Sequence, residues 1–328
     1  MLYIENSNIN PYYNLALEEY LFTASGVNEY FMLWQNYDSI IVGRFQNSAE
    51  EINAEFVKEH GIKVVRRLTG GGAVYHDLGN LNYTFIMNMS AADENAGFRF
   101  EYFSHYIRDA LARYGVQTEF NSRNDITVDG QKFSGNSEYS KGGRILHHGT
   151  ILFDSDLNIM NTALKPSDAK FKSGSTKSVR SRVTNISPFL PHETTIEDFK
   201  KTLKRIVFAD NCITPYFFDS SERSAVTKLS HEKYATWGWN YGKSPRHNVV
   251  KKGKCDGGIV EIFADVQNGI INSFDVCGDF FVKEGFMDAV AGFNGIKYEE
   301  SSIAPAAARL CLCMHNMNEK WLQHLLMS

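Results

Sequence analysis

No apolar run in this 328-residue chain approaches the ~18 residues of a membrane-spanning helix, so no membrane partner is expected. Residues 1–10 lack the basic and apolar stretches of a secretory signal, which points to a cytoplasmic protein. Net charge is low, −4 with a pI near 6.2, whereas a general nucleic-acid binder is usually basic. Cysteine is sparse: Cys212, Cys255, Cys277, Cys311 and Cys313 all fall after residue 211, and none forms C-x-x-C. Free, partly buried thiols are expected, with no disulfide framework and no metal site. Also missing are the G-x-G-x-x-G of dinucleotide folds and the G-x-x-x-x-G-K-[ST] of P-loops. Gly238 to Ser244, GWNYGKS, is only a near miss, its glycines one residue too close together. There is no internal repeat and no low-complexity tract.

What is present is an ordinary globular composition, 43% hydrophobic and 13% aromatic, long enough for one large or two ordinary domains. Its most informative stretch is 66–82, RRLTGGGAVYHDLGNLN. Two arginines end an apolar strand, and Gly70, Gly71 and Gly72 follow in a row. Such a run disfavours helix and strand, and a fold keeps it where the backbone needs positive φ or must touch a ligand. A plain tight turn is the alternative. Cations on one flank, Thr69, and bare N–H groups between favour a bound phosphate or carboxylate.

The spacing predicts helices over 12–24, 50–60, 100–114, 156–163, 194–208 and 221–235. Strands are predicted over 29–35, 39–43, 63–67 and 81–87, and in hairpin-like pieces around Asp129-Gly130 and 140–153. Strand clusters interrupted by helices indicate an α+β fold, a mixed and mostly antiparallel sheet with helices packed on it. Composition changes after Thr236. We therefore expect a large catalytic domain over 1–243 and a small α+β accessory domain over 244–328, with strands near 258–266 and 270–277.

Three further segments carry chemistry. In RNDITVDGQKFSG (123–135), Lys132 follows a tight turn, with Asn124 and Asp125 on the partner strand. An exposed hairpin lysine is normally a solvated charge. The small residues nearby instead suggest a close-fitting ligand beside a point charge suited to phosphate or carboxylate. In RILHHGTILF, His147 and His148 must face opposite sides of a strand, so at most one enters a site and a metal pair is disfavoured. In 165–185, six basic residues (Lys165, Lys170, Lys172, Lys177, Arg180, Arg182) face only Asp168. That segment reads either as a solvated loop or as a lid ordering over a polyanion.

Together these segments resemble the lipoate–protein ligase A family of the biotin/lipoate ligase superfamily. RRLTGGGAVYHDLGNLNYTF, RNDITVDGQKFSG, HHGTILFDSDL and SVRSRVTNI carry the likeness. So do NPYYNLALEEYLF, LWQNYDSIIVGRFQN and WGWNYGKSP, in the same order along nearly the whole chain. The resemblance implies a class II synthetase-like catalytic domain and an ATP-dependent ligase. Such an enzyme activates lipoate with MgATP to lipoyl-AMP, then acylates a lysine of a lipoyl domain. That acceptor would be a 2-oxoacid dehydrogenase acyltransferase subunit or the glycine-cleavage H protein, and the ligase a monomer. It also implies roles for single residues. Arg67, Gly72, Ala73, Val74 and Tyr75 would hold the nucleotide, with Asn124 and Asp125 in the same pocket and Arg180 and Arg182 closing over it. Lys132 would contact both the lipoate carboxylate and the α-phosphate. Trp34, Arg44, Gly71, His76 and His148 would face the lipoate. Asn136 and Ser137 depart from the small-residue–alanine pair of many members. Two other readings are a cysteine-dependent octanoyl or lipoyl transferase and a non-catalytic adenylate- or lipoyl-domain-binding protein. The first cysteine, Cys212, lies far beyond the pocket motifs, which favours the ligase.

Overall fold

The structure, a computed structural model, describes residues 1–24, 28–89, 98–121, 124–165, 183–242 and 248–327. The chain opens with β1 (Leu2–Glu5), α1 (Pro11–Thr23), β2 (Tyr30–Trp34), β3 (Ser39–Val42), α2 (Ser48–Glu51) and α3 (Ala54–Glu59). Then come β4 (Lys63–Arg66), β5 (Val74–His76), β6 (Asn80–Asn88), α4 (Phe100–Ala112), β7 (Glu119–Phe120), β8 (Asp125–Val128), β9 (Gln131–Lys141) and β10 (Arg144–Leu152). Next are α5 (Leu157–Ala163), α6 (Ile196–Asp210), β11 (Thr214–Tyr216), α7 (Ser220–Leu229), a π-helical turn (Ser230–Tyr234) and α8 (Trp237–Asn240). The last part holds β12 (Val249–Cys255), β13 (Gly258–Gln267), β14 (Ile270–Gly278), α9 (Phe286–Ala291), α10 (Glu300–Leu312) and α11 (Glu319–Met327).

The expected mixed sheet is present. Eight strands run in the order β11-β1-β2-β6-β10-β9-β8-β7, parallel at β11/β1/β2 and antiparallel from β2 onward. Its edge hairpin turns at Asp129 and Gly130, both at positive φ (48° and 73°), as a tight two-residue connection requires. One face of the sheet packs on α4 and α6 through Phe85, Phe103, Ile107, Phe199 and Leu203. The other meets α1, which Pro11 opens at its first turn and whose Leu15, Leu17 and Leu21 are buried.

Two smaller sheets accompany it, the second holding strands close to those expected near 258–266 and 270–277. β4, β3 and β5 form a separate three-stranded sheet with its own apolar cluster, standing over the large sheet. β12, β13 and β14 form a third, with α9 to α11 closing its core. β12 was not expected as a strand because its residues, VVKKGKC, read as a basic polar run. The single helix expected over 50–60 is two, broken at Ile52 and Asn53, where the Asn53 side chain starts α3 by accepting from Phe56 N–H. The C-terminal core is bridged to the rest by Phe45, whose ring lies 5.4 Å from Phe280 and 4.7 Å from Phe286. Among the described residues no helix is long and apolar enough to cross a membrane.

Candidate active site

The small sheet and one face of the large sheet enclose a cavity of about 1150 Å³, the size of a nucleotide plus a further small ligand. Its first wall is the glycine loop between β4 and β5. Gly71, Gly72, Ala73, Val74, Tyr75 and His76 all line it. Of the three glycines only Gly71 takes positive φ, 84°, and its N–H already donates to the Phe280 carbonyl at 3.1 Å. The expectation of a fully bare row of amides is therefore corrected: the C-terminal part occupies one of them.

Arg67 shapes this loop from within. Its guanidinium donates to Gly70 O (2.5 Å), Gly72 O (2.9 Å), Ile41 O (3.1 Å) and Thr69 Oγ1 (2.8 Å). Burial pulls its pKa down to about 10, Glu18 counters and Arg66 adds to the drop. It stays charged at neutral pH and acts on a ligand chiefly through its field and the shape it imposes. Ser137 Oγ fixes the same loop, donating to Gly70 O at 2.8 Å.

The second wall is the β8–β9 hairpin. Lys132 Nζ lies 2.7 Å from Asp125 Oδ1, and both line the cavity with Asn124. A β-bulge between Ile126 and Thr127 shifts the register beside this pair. Gly135 belongs to the same construction: a Cβ there would stand 2.8 Å from Lys132 Nζ, so any side chain would displace the ammonium. Asn124 Nδ2 donates to Asn136 O at 2.7 Å and Asn136 N–H returns to Asn124 O at 2.9 Å, closing the strand end.

The strand histidines separate to opposite faces as expected. His148 lines the cavity, and Glu18 accepts from its Nδ1 at 3.0 Å while its Nε2 meets Thr69 Oγ1 at 2.8 Å. A continuous relay thus runs Glu18–His148–Thr69–Arg67 into the glycine loop. His147 turns into the core against Glu138 (2.7 Å). Burial lifts the Glu138 pKa to about 8 and holds His147 well below its ordinary value. Trp34, on β2, lines the cavity and donates through Nε1 to Thr84 Oγ1 at 2.8 Å.

Arg44 is the residue the structure does not bring in. Its guanidinium sits 4.2 Å over the Trp239 ring, away from the cavity wall. Arg180 and Arg182 lie outside the described residues. The segment that holds them leaves from Lys165, whose N–H donates to Glu51 O, and returns at Thr184, whose N–H donates to Lys132 O. Both Lys165 and Val183 are on the cavity rim.

Several wall residues escaped the sequence reading. Glu18 is the first of two adjacent acids, Glu18 and Glu19, at i+3 from Leu15 and i−4 from Phe22, and a carboxylate on an apolar helix stripe was the available signal. Lys252 and Lys254 also line the cavity, from β12, and two-residue spacing puts them on one strand face. Among the described residues no three His, Cys, Asp or Glu side chains are grouped to hold a metal ion.

Comparison with known proteins gives this geometry a family. Residues 10–208 match the lipoyl protein ligase A/B catalytic domain, and 244–326 the bacterial lipoate protein ligase C-terminus. The chain belongs to the lipoyl protein ligase A/B family. Lipoate-protein ligase LplJ of Bacillus subtilis is 41% identical over 309 residues, 93% of this chain and 92% of that protein. Lipoate–protein ligase 1 of Staphylococcus aureus is 43% identical over 283 residues, 86% and 85% of the two chains. Among solved structures, LipL1 of P. falciparum in complex with lipoate superposes with a TM-score of 0.80 at 26% identity, covering 99% of this chain and 98% of that one. A lipoate-protein ligase A bound with ATP gives 0.62 at 26%, covering 74% and 98%. A bipartite lipoate protein ligase of Thermoplasma acidophilum, described with its E2 lipoyl domain, gives 0.64 at 28%, covering 76% and 98%. The expected family and α+β class therefore hold for this ligase-family enzyme.

Proposed function

We propose that the chain is an ATP-dependent lipoate–protein ligase. The lipoate carboxylate attacks the α-phosphorus of ATP, the bond to the β-phosphate oxygen breaks, and pyrophosphate leaves with lipoyl-AMP retained. A lysine ε-amine of a lipoyl domain then attacks the mixed anhydride and AMP departs. Support comes from the ATP-bound and lipoate-bound relatives and from the relative described with its E2 lipoyl domain. One observation carries the reading. Lys132 stands on one wall of a single cavity, opposite a glycine loop held by a buried guanidinium on the other.

Step one brings two anions together, and fixed cations and N–H donors must offset their repulsion before reaction. Lys132 supplies the point charge where carboxylate and α-phosphate meet. Asp125, 2.7 Å away, holds its ammonium in place, so the lysine acts as a fixed point charge. Gly72, Ala73, Val74 and Tyr75 line the phosphate side, and Arg67 holds their shape. The apolar residues Leu15, Trp34 and Ile41 suit the acyl chain, each buried CH₂ contributing ~0.8 kcal/mol. Magnesium neutralises phosphate charge in such chemistry. It would be held by the nucleotide phosphates together with at most one or two carboxylates of the chain.

Arg180 and Arg182 are assigned to the bound nucleotide because their segment begins and ends at the cavity rim. We put the domain boundary near residue 243, a reading supported by the separate family matches over 10–208 and 244–326. A cytoplasmic monomer acting on a lipoyl domain completes the proposal. The cysteine-dependent transferase is disfavoured because no cysteine is among the described residues lining the cavity. The Cys311 thiol is pushed up to about 11 by burial.

Incubation with lipoate, ATP and an apo lipoyl domain tests the assignment. Pyrophosphate release with a lipoyl mass gain on the acceptor is expected. Acyl transfer without ATP, blocked by alkylation, would establish the transferase; adenylate binding with neither event would establish a binding protein.

A further inference from the structure

β12, the strand that the sequence did not announce, brings two lysines to the cavity from the C-terminal sheet. Gly253, between them, faces the other way. A Cβ there would stand 2.7 Å from the Trp321 ring and 3.1 Å from Leu325, both on α11. The core closes that face, and strand alternation turns Lys252 and Lys254 to the opposite one. Register ties this strand to the glycine loop. Gly253 pairs with Val260 on β13, and Val260 with Gly278 at the end of β14. Just beyond Gly278, the Phe280 carbonyl accepts from Gly71 N–H, and a Cβ on Gly71 would stand 2.9 Å from the Phe281 ring. Two strand spacings, about 10 Å, separate Gly278 from Gly253. The lysines are thus borne by the sheet that is anchored to the loop.

The other cations of the cavity are largely engaged. Arg67 donates to its own chain, Lys132 rests on Asp125, and Lys252 Nζ meets Glu261 Oε1 at 2.5 Å. Among the described residues the exposed Lys254 ammonium has neither an ion pair nor a hydrogen bond. Lys165, on the rim beside Leu164, is the other such lysine, but it lies outside the sheet that contacts the loop. An unengaged ammonium on the wall of a nucleotide-sized cavity is a point charge suited to phosphate. The acyl carboxylate and the α-phosphate already have Lys132. The phosphates beyond them are the anions that still lack a cation, and Lys254 is the charge that β12 adds once Glu261 has offset Lys252.

Building on the lipoate-ligase reading, we propose that Lys254 holds the β- and γ-phosphates of ATP, the part that departs as pyrophosphate. When the bond from the α-phosphorus to the bridging oxygen breaks, its electron pair stays on that oxygen. The ammonium offsets the negative charge that gathers there. Lys132 serves the attacking carboxylate and Lys254 the leaving group.

The test compares, by calorimetry on the full chain with magnesium present, the binding of AMP and of α,β-methylene-ATP, whose α–β bridge cannot be cleaved. Lys254→Ala weakens the ATP analogue by about tenfold, the loss of one charge-assisted contact, and changes AMP binding by less than about twofold. Lys254→Arg, which keeps the charge, recovers most of the difference. In pyrophosphate release with lipoate and ATP, Lys254→Ala lowers kcat/KM for ATP, and added pyrophosphate becomes a weaker inhibitor. A role in folding alone would weaken both nucleotides together, and a thermal melt of the variant checks its folding independently. An unchanged preference for the ATP analogue over AMP, or an equal loss of both, overturns the proposal. A wild-type protein that binds neither nucleotide instead refutes the underlying ligase reading.

Discussion

At the scale of single residues, Thr69 joins the acidic helix face to the phosphate loop. Its hydroxyl accepts from Arg67 Nε and meets His148 Nε2, whose other nitrogen donates to Glu18. Thr69→Val keeps the volume but strands two buried polar atoms, at a cost of about 1–3 kcal/mol. We expect a lower denaturant midpoint together with slower adenylation. Unchanged values for both would show that the relay is incidental. Glu138 gives a pH prediction. Asn136 Nδ2 donates to Asn124 O, so Oδ1 accepts from His147 Nε2–H, and Glu138 must then be the protonated donor to His147 Nδ1. With the folded pKa raised to about 8, the folded state holds a proton that the unfolded chain has lost above the ordinary carboxylate range. Stability conferred by this group is thus highest in acid and declines as pH rises to about 8. Glu138→Gln retains donor and acceptor without the titration. Its stability advantage should widen between pH 5 and 8 in denaturation curves, and a pH-independent difference would contradict the assignment.

At the scale of elements, the fold was legible where period and turn chemistry agreed. Pro11 before Leu15 and Leu17 marked α1, and Asp129-Gly130 marked the β8–β9 hairpin that carries Lys132. β12 was hidden because three lysines, two of them adjacent, break the period of an edge strand, with Lys252 and Lys254 turned toward the cavity. β5 was hidden because three residues, Val74–His76, are too few to show a period. The glycine run was legible as a loop that touches something, but not as one contacting its own chain. A Cβ on Gly70 would stand 2.3 Å from the Phe280 carbonyl, backbone against backbone. Gly70→Ala therefore forces the 279–281 turn away and should destabilise by about 1–3 kcal/mol in chemical denaturation. An unchanged midpoint would mean that this contact is not kept in solution.

At the scale of the molecule, the site was legible by residue type and its assembly was not. Cations, glycines and a hairpin lysine pointed to a bound anion. That they enclose one cavity, with Trp34 and His76 at one end and Lys132 at the other, depends on strand order, which no local pattern encodes. Arg44 shows the reverse case: its place in a matching motif gave no sign that it stacks on Trp239. The account rests on Lys132 as the fixed charge joining the acyl carboxylate to the α-phosphate. Losing one such preorganised group typically costs roughly 3–4 kcal/mol of transition-state stabilisation. The decisive measurement is pyrophosphate release by Lys132→Ala with lipoate and ATP, alongside a thermal melt to establish folding. A folded variant slowed by about 10²–10³ or more is predicted, whereas a folded variant that adenylates lipoate at the wild-type rate would contradict the account.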